Sequence, residues 1–230
     1  MGVSSLTPAS PPTARRGSQQ SPFLALGVLV AASLGVFALE VVTAPLSDTL
    51  HGSLVEHGGL YGPAVDHGEW WRILAAGFLH SGLAHLVGNL IALVVLGGVL
   101  TLAIGPLRMA LTYLAGLLGS SLAVLAFAPD ALTVGASGAI FGLAGGALLV
   151  GWRRRRLLLL VFAGAWILYT LSSTLFVPGI SQAGHLGGLA AGAVCGWLLV
   201  GPSAELRSER AALGLVSALL AALFALALVV

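Results

Sequence analysis

Charge is what this sequence has least of. Charged residues fill 8% of the 230 positions against 58% for hydrophobic ones, and mean hydropathy is +1.03. A soluble domain carries roughly three times that charged share, so a water-soluble fold is excluded and a polytopic membrane protein is implied. Lysine is absent, and all ten basic residues are arginine. Their short clusters lack an interleaved aromatic face, which speaks against nucleic-acid binding and for topology signals. Cysteine is reduced to Cys195, set inside an apolar run, so no intramolecular disulfide can form.

What the chain does have is apolar length. Residues 1–22 are rich in Ser, Pro, Thr and Gln and cannot build a core, so they are expected to form a disordered cytosolic tail. Apolar stretches follow at about 23–43, 82–104, 107–128, 137–151, 157–176, 183–200 and 210–230. A membrane crossing takes about 20 helical residues, and most of these stretches qualify, which predicts seven spans. The core is expected over 23–202, and 203–230 holds a linker and an additional C-terminal helix. The fourth stretch is short and opens at the turn bearing Ser137, so its end should stop below the membrane surface, where protein or water must surround irregular backbone.

Seven spans put Arg15, Arg16, Arg108, Arg153 to Arg156, Arg207 and Arg210 on the side of the N-terminus. The positive-inside rule makes that side cytoplasmic. The segments 44–81, 129–136 and 177–182 then face out, and they carry Asp48, Glu56, Asp66, Glu69 and Asp130 together with Arg72. The first of these is too long for a simple connection. Its Trp70, Trp71, Ile73, Leu74, Phe78 and Leu79 predict an ordered structure lying partly in the interface, with Arg72 reaching headgroups or loop carbonyls.

Spans four and six share a pattern. Gly138, Gly142 and Gly146 recur every fourth residue, as do Gly188, Gly192 and Gly196. Residues at i and i+4 share a face, so each helix offers a groove that permits close backbone approach. His185 lies three residues before Gly188, on the same face. Packing the two grooves together would bring its ring to the Ser137 hydroxyl at the matching end. An ionisable residue inside a membrane is a functional hypothesis by default, although a neutral imidazole bonded to a carbonyl is the plainer alternative. Spans two to six hold no Asp or Glu to serve as an orienting third member, so a Ser137–His185 dyad is the expectation, with Phe141, one turn below the serine, stacking on the imidazole. His85 and Asn89 share one face of span two and can donate to an oxyanion, as can the backbone N–H of Ser137, or they can clamp two helices together. The spacing H-E-x-x-H is missing, since Leu86 stands at the Glu position, and no metal or other cofactor is implied.

From about Glu69 to Val200 the chain resembles the rhomboid intramembrane serine proteases. The likeness rests on Trp71-Arg72, on His80, His85 and Asn89 spaced H-x4-H-x3-N, on Gly135-Ala136-Ser137-Gly138, and on His185 followed by Gly188 and Gly192. It implies an all-α, six-helix transmembrane core, here with one helix added. It also implies Ser137 as nucleophile, His185 as base, His85 and Asn89 at the oxyanion, and a water-filled cavity opening outward with the first loop as a half-embedded side wall. Expected partners are the lipid bilayer and single-span membrane protein substrates, cut near their non-cytoplasmic end. The expected location is a bacterial cell membrane. Thr101 departs from the family, which usually has a glutamate there. Two other readings are a non-catalytic relative that binds membrane helices, a class that has lost the Ser or His kept here, and a small transporter, which would show broken helices in matching halves.

Overall fold

A computed structural model describes residues 21–43, 53–200 and 209–229. Residues 1–20 of the expected tail, most of the linker after residue 202, and the side chains of Arg15, Arg16, Asp48, Arg207 and Arg210 lie outside the described residues. The described residues form ten helices: α1 (Leu24–Thr43), α2 (Ser53–Gly58), α3 (Gly62–Asp66), α4 (Arg72–Ala75), α5 (Leu83–Ile104), α6 (Pro106–Phe127), α7 (Ser137–Arg153), α8 (Leu157–Thr174), α9 (Gln182–Leu199) and α10 (Glu209–Ala227). A 3₁₀ turn, Ala76–Phe78, follows α4. The long helices begin and end within a few residues of the apolar stretches, because Pro, Gly and Arg delimit both. Gly105, at φ +91, separates α5 from α6, and Pro106 opens the latter.

Four helices, α1, α5, α6 and α8, are long and apolar enough to cross a membrane. The expected seven spans are therefore met only in part. The reason is visible in the packing. With 17 residues, α7 is short, and it is buried along nearly its whole length between α5, α6, α8 and α9. A helix enclosed by protein needs small residues more than apolar ones, and α7 and α9 are correspondingly rich in glycine. By contrast few residues of α1 and α8 are buried, and Leu158 of α8 is almost bare.

The core is the three-helix contact of α6, α7 and α9. A Cβ placed on Gly116 of α6 would lie 2.7 Å from the Gly142 Cα of α7. One on Gly188 of α9 would overlap the Gly138 carbonyl, and one on Gly192 the Gly142 carbonyl. Gly196 abuts Gly146 in the same register, its Cβ position 2.9 Å from that Cα. The two glycine rows therefore mesh residue against residue, and α6 supplies a third row through Gly116 and Gly119.

The segment before α5 is ordered where it is described. Arg72, only 5% exposed, bonds the Glu56 carbonyl at 2.7 Å and the Gly59 carbonyl at 2.8 Å through Nη1, and pairs with the Glu69 carboxylate. It thus serves loop carbonyls rather than headgroups. Leu60 and Thr133 exchange both backbone bonds as an isolated antiparallel pair, joining this segment to the one that precedes Ser137. The Ser121 hydroxyl of α6 donates to the Ile73 carbonyl at 2.8 Å, and Trp70 meets Phe224 of α10 edge to face. At the opposite end of the bundle Arg153 donates to the Val200 carbonyl at the end of α9, and Arg154 to the Ala103 carbonyl near the end of α5. Those arginines satisfy terminal carbonyls that the helices leave open.

Candidate active site

Ser137 is the first residue of α7, and the turn before it is tied to the segment that precedes α5. The Gly135 N–H donates to the Ala76 carbonyl of the 3₁₀ turn at 2.9 Å, and Gly135 itself sits at φ +119, where a side chain is strained. This places the Ser137 hydroxyl at a helix N-terminus, where backbone N–H groups have no partner of their own in the helix.

His185 comes from α9, brought close by the meshed glycines. Its Nε2 lies 3.0 Å from Ser137 Oγ. The imidazole is 5% exposed and stacks on Phe141, with centroids 4.3 Å apart and planes at 22°. Phe141 rests in turn on Trp166 of α8, 5.1 Å away. Among the described residues His185 Nδ1 has no hydrogen-bond partner, and the ring's contact with Phe141 is a stack. With the proton on Nδ1, Nε2 is left to accept from the serine hydroxyl.

His85 and Asn89 converge on Gly135 from α5. A Cβ at Gly135 would fall 2.7 Å from His85 Cε1, 2.8 Å from His85 Nε2 and 3.4 Å from Asn89 Nδ2, so the missing side chain is what lets both groups approach the turn. His85 Nδ1 lies 3.1 Å from the Ser81 hydroxyl. If that hydroxyl donates, Nε2 carries the ring proton and becomes a donor beside the turn. The amide nitrogen of Asn89 is buried without a partner among the described residues. A nucleophile with a base and two unspent donors on the other side of one glycine is an arrangement suited to acyl transfer.

The remaining sequence candidates fall around this centre. Gly138 and Gly188 face each other across the α7–α9 contact, and Ser120 of α6 fills the space beside Gly138. His80 is buried against His85, ring centroids 5.2 Å apart and nearly perpendicular. Its Nδ1 donates to the Phe78 carbonyl at 3.1 Å. Burial first, and the neighbouring His85 second, hold His80 down to about 4, so its ring is neutral at pH 7. Trp71 and Arg72 are not brought to the dyad. Trp71 stays half exposed at the head of α4. Among the described residues no group of three His, Cys, Asp or Glu is placed to hold a metal ion.

Sequence reasoning missed Ser81, Trp166 and Glu40. The first stands four residues before His85, an i to i+4 relation readable on a helix but not across the Gly82 break where α5 begins. Glu40 left a clearer signal, a single carboxyl inside a 20-residue apolar helix.

Residues 67–202, more than half of the chain, match the family described as Rhomboid domain. Rhomboid protease GluP of Bacillus subtilis is 35% identical over 173 residues, 74% of this chain and 32% of that protein. Rhomboid-related protein 2 of Mus musculus is 33% identical over 193 residues, 76% of this chain and 64% of its own length. Inactive RHOMBOID-like protein 8 of Arabidopsis thaliana is 36% identical over 143 residues, 59% of this chain and 40% of that protein. The chain thus spans a third to just under two thirds of the length of these relatives.

Proposed function

The chain belongs to the rhomboid family of integral membrane proteins, whose members include proteases and inactive forms, and from that premise we propose that it is an intramembrane serine endopeptidase. The observation that carries this reading is the 3.0 Å contact between Ser137 Oγ and His185 Nε2, with the ring stacked on Phe141. Ser137 attacks a substrate carbonyl and its proton passes to His185 Nε2. The carbonyl oxygen, now an anion, takes hydrogen bonds from Asn89 Nδ2, His85 Nε2–H and the Ser137 backbone N–H. His185 returns the proton to the leaving amine, and water then releases the acyl group by the same steps in reverse order. Single-span membrane proteins are the proposed substrates. A span's backbone carbonyls are locked in i to i+4 bonds, so it must unwind locally before cleavage.

The proposed topology has seven spans with the arginine end of the bundle cytoplasmic and the dyad opening outward, in a bacterial cell membrane. Purified protein in liposomes, incubated with a tagged single-span substrate, should release two fragments, and Ser137→Ala should release none. A wild-type protein that neither cuts the substrate nor takes up a fluorophosphonate would make it a helix-binding, non-catalytic relative.

A further inference from the structure

Glu40 is a carboxyl with no evident business in an apolar helix. Leu26, Ser33 and Glu40, spaced by seven, are the buried residues of α1, and this stripe faces α5 and the 3₁₀ turn. Glu40 is 7% exposed, and Oε1 accepts from the His80 backbone N–H at 3.0 Å. That N–H belongs to the short non-helical link between the 3₁₀ turn and α5. Irregular backbone buried at this depth needs an acceptor from elsewhere, because neither water nor a helix supplies one. A carboxylate is the strongest acceptor a side chain can offer to an amide.

The link so pinned carries both neighbours of His85. His80 presses its ring edge against the His85 ring, and Ser81, the next residue, bonds His85 Nδ1. We propose that Glu40 is a positioning residue for the oxyanion site: it fixes the His80–Ser81 backbone, and through Ser81 and His80 it sets the tautomer and tilt of His85. The inference rests on the proteolytic reading, since only there does the orientation of His85 affect a rate.

Full-length protein in liposomes tests it with two variants. Gln can accept the same N–H, so Glu40→Gln should keep kcat within about twofold, whereas Glu40→Leu should lose about tenfold in kcat with KM unchanged, a misplacement effect. In a His85→Ala background Glu40→Leu should cost nothing further, because its route is already cut. A Glu40→Leu protein with wild-type kcat, a loss that adds fully to that of His85→Ala, or a loss matched by a smaller folded fraction would overturn the assignment. Hydrogen exchange across residues 79–85 needs no substrate and separates the two readings. Glu40→Leu should speed exchange there and Glu40→Gln should not. Unchanged exchange in Glu40→Leu overturns the positioning role, whereas a wild-type enzyme without turnover would condemn the protease reading alone.

Discussion

Replacing Gly135 by alanine separates the oxyanion geometry from the stability of the fold. The new Cβ would sit 2.7 Å and 2.8 Å from His85 ring atoms, where carbon contacts are comfortable at about 3.5 Å or more. Ring and turn must part by roughly 0.7 Å, and Asn89 Nδ2, at 3.4 Å, is pressed as well. A shift of that size at a reacting centre, or the loss of one oxyanion donor, lowers kcat by on the order of 100-fold. The backbone cost falls on stability instead. A non-glycine residue at φ +119 is strained by about 1–3 kcal/mol. Against a typical stability of about 5–15 kcal/mol, that leaves nearly all molecules folded. Cleavage of a tagged single-span substrate, measured beside thermal unfolding, should thus show a kcat deficit far larger than the unfolded fraction explains. A Gly135→Ala protein with lowered melting temperature and wild-type kcat would show that His85 and Asn89 do not hold the oxyanion, and the reasoning would fail.

Asn89→Ala should lower kcat by about 3 kcal/mol equivalent while the protein still purifies as a folded species, as expected for an oxyanion donor; loss of folding with full specific activity would make Asn89 an interhelical clamp. Gly192→Leu should prevent α9 from seating on α7, since even a Cβ there overlaps the Gly142 carbonyl, and thermal unfolding in detergent should fall by several kcal/mol or the protein should fail to fold. Ser137 should be the residue labelled by a fluorophosphonate, as mass spectrometry of the adduct would report, and chelators should leave turnover unchanged; chelator-sensitive cleavage without a label would indicate a metalloenzyme.

Helix extents and the meshed glycines were legible because both depend on local periodicity. An apolar run bounded by Pro, Gly and Arg has few alternatives to a helix, and a glycine every fourth residue can only make a groove. The depth relation of Ser137 and His185 followed from those grooves, and Phe141 from its one-turn offset. Pairings across long separations were not legible. Nothing local announces that the Leu60 backbone joins that of Thr133, that Ala76 holds Gly135, or that Glu40 reaches His80 across forty residues. Only four of the seven expected spans stand out by length and apolarity, for a related reason. Apolarity measures exposure to lipid, and α7 and the glycine face of α9 are turned away from the bundle surface, so their small residues pack protein instead.

Depth follows from the same helix. Between Arg153, which binds the Val200 carbonyl at one end, and Ser137 at the other, α7 holds 17 residues, about 25 Å at 1.5 Å per residue. A hydrocarbon core is about 30 Å thick. If the arginines mark the cytoplasmic boundary, Ser137 lies several ångström below the opposite surface. A substrate span should then be cut within its non-cytoplasmic half, a turn or two from the end. Helix-breaking residues there should speed cutting, because each broken i to i+4 bond frees a carbonyl for attack. Mass spectrometry of the fragments locates the cut, and replacing Gly and Pro near it with Leu should slow turnover without moving it. Cleavage in the cytoplasmic half would reverse the orientation drawn from the arginines. Cleavage in the outer half at a rate indifferent to those substitutions would mean that unwinding the substrate is not what the dyad waits for.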